Sequence, residues 1–160
     1  MGFLGRASVF YILWPLSAAA YYVNRGADGD VAGEYIAAIS RFILLAMMFV
    51  WPFFAAMRAD LFAGSKAQKK SCMIASIVIV CVFFLSSVAG LYYRDVSAEL
   101  LSFATASSIF AAFFVWYNIA QVFVSRTSGG GLGRVLSYMA IFVILPFTAA
   151  SFQNDLKRVA

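Results

Sequence analysis

Residues 72–93 read CMIASIVIVCVFFLSSVAGLYY, a run with no charged residue and no proline. A hydrocarbon core about 30 Å thick takes roughly 20 helical residues at about 1.5 Å of rise each, so this run is long enough to cross one. A membrane strand needs only about ten residues and alternates apolar with polar positions. This run is apolar on every side for twice that length, so it reads as a transmembrane helix.

Working outward from it, four more apolar segments are found at 7–23, 35–57, 100–124 and 135–152. Hydrophobic residues make up 64% of the chain and charged ones 12%, against about 45–50% and 25% in soluble domains. A water-soluble fold has too little interior for this composition. The expected fold is all-α: a polytopic integral membrane protein in which 1–160 form one transmembrane domain of about five helices. The first segment is short enough to lie tilted or at the interface. Arg6 ahead of a stretch ending in Ala18, Ala19 and Ala20 also fits a cleavable secretory signal; the segment is read here as a first membrane helix.

The net charge of +5 forms no basic stripe of the kind nucleic acid requires, so nucleic acid is not an expected partner. The basic residues fall in the joints between apolar segments. Arg6, Arg58, Lys66, Lys69, Lys70, Arg126 and Arg134 gather on one side of a five-span layout, and Arg25, Arg94, Lys157 and Arg158 on the other. By the positive-inside rule the amino terminus is cytoplasmic and the carboxyl terminus outside, in a bacterial inner or other cytoplasmic-type membrane. The two basic residues of the tail oppose this orientation. Tyr21, Tyr22, Tyr92 and Tyr93 close the first and third segments on the outer side, where interfacial tyrosine is favoured.

The joints have distinct chemistry. NRGADGDVAGE is a water-facing turn, and RDVSAE is so short that the third and fourth helices must be antiparallel neighbours. RADLFAGSKAQKKS is the longest, an inner-surface loop whose Arg58, Lys66, Lys69 and Lys70 set orientation and attract anionic lipid. The glycines of SRTSGGGLGR lack the Lys-Ser or Lys-Thr and the preceding strand of a phosphate loop.

Reactive groups are scarce. Histidine is absent, which removes histidine metal sites, histidine triads and imidazole shuttles. Cys72 and Cys81 lie on opposite sides of one helix and cannot bridge each other. No acidic residue lies deep in an apolar segment, and Asp28, Asp30, Glu34, Asp95 and Glu99 form a solvated outer rim. The expectation is no enzyme activity, no cofactor and no metal. One charge does lie inside a segment: Arg41, with Glu34, Asp95 or Glu99 as ion-pair partners. A structural pair or a snorkelling contact is the leading role for it, and an anion- or ligand-binding site the alternative.

The fourth segment is the most polar. Ser107, Ala111, Phe114, Asn118, Gln121 and Ser125 share one face, flanked by the small-residue stripe Ala104, Ser108 and Ala112. Such faces pack against other helices, and lining of a pathway is the competing reading. Ser76, Phe83, Ser87 and Gly90 offer a partner surface on the third segment. Pro15, Pro52 and Pro146 each remove a bond to the carbonyl four residues earlier, so a kink is expected at each. Ser17, Thr148 and Ser151 are at hand to satisfy the freed carbonyls.

Length and segment count resemble the tryptophan-rich sensory protein and translocator protein family, which implies five spans. That family is rich in tryptophan and carries a proline-rich loop after its first helix; this chain has Trp14, Trp51 and Trp116 alone and no proline in NRGADGDVAGE, so no family is assigned. The expected role is a non-enzymatic membrane subunit, a scaffold, anchor or regulatory component. Its partners are the lipid bilayer and either copies of itself or other membrane subunits. A small homo-oligomeric channel or transporter is the alternative.

Overall fold

A computed structural model describes residues 4–24, 30–92, 98–127 and 131–159. Among these residues six helices follow one another: α1 (Ala7–Asn24), α2 (Val31–Arg58), α3 (Lys66–Tyr92), α4 (Ala98–Thr127), α5 (Leu132–Val143) and α6 (Leu145–Val159). Three are long and apolar enough to cross a membrane, over Val31–Arg58, Lys66–Ala89 and Ser102–Thr127. The protein is therefore an all-α, multi-pass helical membrane protein. Each of the first five helices packs on the next, so the short connection between α3 and α4 does make them neighbours, and α2 also reaches α4.

Asp30 caps α2: its carboxylate accepts from the Ala32 amide at 3.1 Å, satisfying one of the donors that a helix start leaves open. The other end of α2 closes in a Schellman turn, with Leu61 N–H bonded to the Ala56 carbonyl and Asp60 N–H to the Met57 carbonyl. Asp60 has φ 50° there, the left-handed conformation that glycine adopts most cheaply. Leu61 and Phe62, both buried, then plug the end of the bundle. The Lys69 amide bonds the Ser65 carbonyl at 3.0 Å, so α3 starts earlier than the apolar pattern suggests. The long inner loop expected from the sequence is thus half helical: Arg58 ends α2, and Lys66, Lys69 and Lys70 lie in the first turns of α3.

The largest departure concerns the expected span 135–152. The helix stops at Val143 and a new one begins at Leu145. The two fold back on each other, with the rings of Phe142 and Phe152 only 5.0 Å apart; a straight helix would separate those residues by about 15 Å along its axis. Pro146 lies in the first turn of α6, where its missing N–H is no loss, so it begins a helix instead of kinking one. The Thr148 hydroxyl spans the break, lying 2.9 Å from the Ile141 carbonyl and 3.2 Å from that of Ile144. By contrast, α1 and α2 run unbroken through Pro15 and Pro52.

From the turn, α6 descends antiparallel to α1. The Ala150 amide donates to the Tyr11 hydroxyl at 3.1 Å. One level lower, the Gln153 carboxamide accepts from the Ala7 amide at 2.7 Å and reaches the Gly5 carbonyl at 3.4 Å. Gly5 lies so close to α2 that a Cβ added there would be 2.5 Å from the Phe54 carbonyl oxygen. The last turns of α6 therefore lie at the same end of the bundle as the start of α1 and the end of α2. A single helix over 135–152 would instead carry the tail to the opposite end of the bundle.

Why α6 turns back is written in its side chains. Leu145, Ala149, Phe152 and Leu156 recur at helical spacing and are buried, while Ser151, Asn154, Lys157 and Arg158 face outward and are exposed. A helix with one apolar stripe buries that stripe against protein; here it fills the space between α1, α2 and α4. Aromatic rings knit the core. Phe10 meets Trp51 at 5.1 Å, Trp51 meets Phe152 at 6.2 Å, Phe142 meets Trp116 at 5.7 Å, and Phe49 joins Trp116 to Phe83 at 5.7 and 5.5 Å. With the Phe142–Phe152 pair, this chain of rings touches all six helices. Each such pair is worth about 0.5–1.5 kcal/mol beyond the area it buries.

Candidate interface on the fourth helix

Along α4 the inward and outward faces are sharply different. Ser108, Ala112, Val115, Trp116, Ile119 and Ala120 are buried, and Ala104 and Ala111 are half-buried. The stripe Ala104, Ser108, Ala112 thus faces the bundle, as small residues that allow close helix approach do. Asn118 is also buried, whereas Ser107, Gln121 and Ser125 are exposed. The single polar face read from the sequence is therefore split, with Asn118 turned in and most of the rest turned out.

The polar side chains of the spans bond mainly to their own helices. Asn118 Nδ2 donates to the Phe114 carbonyl at 2.8 Å and Ser108 Oγ to the Ala104 carbonyl at 2.9 Å. Ser86 and Ser87 do the same on α3. A carbonyl four residues back is always in reach of a short polar side chain, so it competes successfully with a neighbouring helix.

What remains outside is a seam. Phe103, Ser107, Phe110, Phe114, Tyr117 and Gln121 follow one another at alternating intervals of four and three, the repeat by which two helices wind together with side chains interleaved. Phe103 and Phe110 are 73% and 75% exposed, so the bundle itself covers little of the seam. The exposed face of α3 shows what contact with lipid alone looks like: Met73, Ile74, Ile77, Val78, Phe84 and Leu85. On α4, by contrast, the Gln121 carboxamide points outward and makes no hydrogen bond among the described residues. It is six residues, about 9 Å, from the end of the helix. Beside it Tyr117, Ser125, Leu132 and Val135 border a groove of about 330 Å³.

The remaining candidates are scattered. Arg41 is exposed on the flank of α2, and no ion pair of it occurs among the described residues; Asp95 lies outside those residues, as does the side chain of Glu99. Buried Cys72 and exposed Cys81 remain free thiols. Among the described residues no group of three or more His, Cys, Asp or Glu is placed to hold a metal ion. Sequence reasoning missed two features. The Nε1 atoms of Trp14, Trp51 and Trp116 are buried without a hydrogen-bond partner among the described residues. The Arg126 guanidinium also ties the end of α4 to the Ala63 carbonyl at 2.6 Å.

No protein-family model matches the chain, no curated protein matches it, and no solved structure matches its fold. Fold and composition define its class, a multi-pass helical membrane protein in contact with the lipid bilayer.

Proposed function

We propose that this protein is a non-enzymatic membrane subunit that assembles through the outward seam of α4 with a second copy of itself, and so acts as a scaffold or anchor within a membrane complex. The observation that carries the reading is Gln121. An amide facing hydrocarbon without a partner is costly, and a parallel copy of α4 related by a two-fold axis brings Gln121 against its own counterpart, amide to amide. Such bonds contribute about 0.6 kcal/mol each on average, enough to fix register along a seam whose phenylalanines supply the contact area.

We also infer the orientation. Arg6, Arg58, Lys66, Lys69, Lys70, Arg126, Arg134, Lys157 and Arg158, nine of the twelve basic residues, belong to helix ends and connections at one end of the bundle. With α6 turned back, the tail adds to the positive end instead of opposing it. The positive-inside rule then assigns both termini to the cytoplasmic side.

Mass measurement in mild detergent, with Gln121→Leu and Ser107→Leu as variants, tests the assembly. The wild type is expected as a dimer and the double variant as a weaker one, shifted measurably toward monomer on dilution. A monomeric wild type, or a double variant that assembles equally well, rejects the seam. A larger ring of copies that conducts ions across a planar bilayer would establish the channel reading in its place.

A further inference from the structure

At the basic end of the bundle a cavity of about 390 Å³ opens between the last turn of α2 and the last turns of α6, lined by Ala55, Arg58, Ala59, Asp60, Gln153, Leu156 and Lys157. It shares no residue with the α4 seam and is independent of the assembly proposed above. We propose that it binds the phosphodiester headgroup of an anionic phospholipid, one whose headgroup alcohol carries free hydroxyls. Its volume is within the range of small-molecule sites, about 300–1,000 Å³.

Three features of the lining select this ligand. Two cations from different helices, Arg58 and Lys157, stand on its rim, and a guanidinium paired with an ammonium is a phosphate-binding combination. The floor is apolar, made by Ala55, Ala59 and Leu156, which suits the glycerol and first acyl carbons of a lipid better than a fully hydrated anion. Asp60 is the only acidic group of the lining; it accepts from a headgroup hydroxyl and disfavours ligands with excess negative charge. Gln153 is a wall and not a ligand, because its carboxamide is committed to Ala7 and Gly5. The site also lies where the apolar span of α2 ends, at Arg58, the depth at which a phosphate group resides. Basic pockets between membrane helices hold anionic headgroups in this way.

The test is native mass spectrometry of the full chain released from micelles carrying phosphatidylglycerol or phosphatidylcholine. One phosphatidylglycerol per chain is expected to survive release, and phosphatidylcholine is expected to be lost. Arg58→Gln with Lys157→Gln should weaken retention about thirtyfold, on about fivefold per basic residue near a lipid surface. Lys69→Gln with Lys70→Gln removes the same charge outside the cavity and should change retention little. Helical circular dichroism establishes that each pair is folded, and single variants take the place of a pair that is not. Equal loss in both pairs would mean diffuse surface charge and overturn the site, as would equal retention of phosphatidylcholine. Displacement of phosphatidylglycerol by equimolar inorganic phosphate would assign the cavity to a soluble anion and overturn the lipid.

Discussion

Replacing Gln153 with leucine tests the clasp that holds the turned-back helix in place. The substitution keeps most of the side-chain volume and removes both polar contacts, a 2.7 Å bond from the Ala7 amide and a 3.4 Å approach to the Gly5 carbonyl. The first is short enough to count in full, at about 1 kcal/mol net; the second is at the outer limit of a hydrogen bond and adds a fraction. The total of about 1–2 kcal/mol converts to a five- to thirtyfold increase in the opening of α6 from the bundle. Amide hydrogen exchange read by mass spectrometry in micelles measures this directly. Peptides covering 145–156 should exchange about five to thirty times faster, while those covering 72–89 of α3 stay as they were. Gln153→Glu keeps an acceptor for Ala7 and should show only a small part of the effect. Unchanged exchange in 145–156, or equal acceleration throughout the protein, would refute the clasp.

Two further substitutions probe the same end of the molecule. Asp60→Gly should stabilise the protein by about 0.5–1 kcal/mol, because glycine occupies the φ 50° position of the Schellman turn without the strain a side chain brings; a lower melting temperature in detergent would contradict this. Phe152→Ala empties a site that is 1% exposed between Trp51 and Phe142, and should cost about 3–5 kcal/mol. That loss would be visible as a large fall in melting temperature, and a fall of only a degree or two would show that α6 is not packed as described.

Much of this fold is legible in the residues. Segments such as 72–93 are apolar on all sides for longer than any strand requires, and no competing physics disturbs them, so α2, α3 and α4 stand where the sequence puts them. The break at Ile144 is harder to read because 135–152 contains enough apolar residues to pass as one span, and Pro146 then reads as a kink within it. Two signals did point elsewhere. After Pro146 the large apolar residues Phe152 and Leu156 keep to one stripe and Phe147 stands off it, with Gln153, Asn154, Asp155, Lys157 and Arg158 crowding the next turns, and a spanning helix is not amphipathic in that way. Lys157 and Arg158 also opposed the orientation that every other joint supported, and turning α6 back removes the conflict. On α4 the spacing groups Ala104, Ser108 and Ala112 on one stripe but does not place Asn118. Its position follows from how α4 is rotated against α2 and α5, which only tertiary packing decides.

The central claim is that the chain re-enters and ends on the side where α2 ends. Labelling with a membrane-impermeant thiol reagent in intact cells, on chains lacking Cys72 and Cys81, tests it with one cysteine at a time: Ser65→Cys in the α2–α3 connection and Arg158→Cys in the tail. Both positions are expected to be protected in intact cells and to react together once the membrane is opened. Labelling of Arg158→Cys from outside while Ser65→Cys stays protected would mean that 135–152 crosses the membrane after all, and the fold described here would be wrong at its most distinctive point.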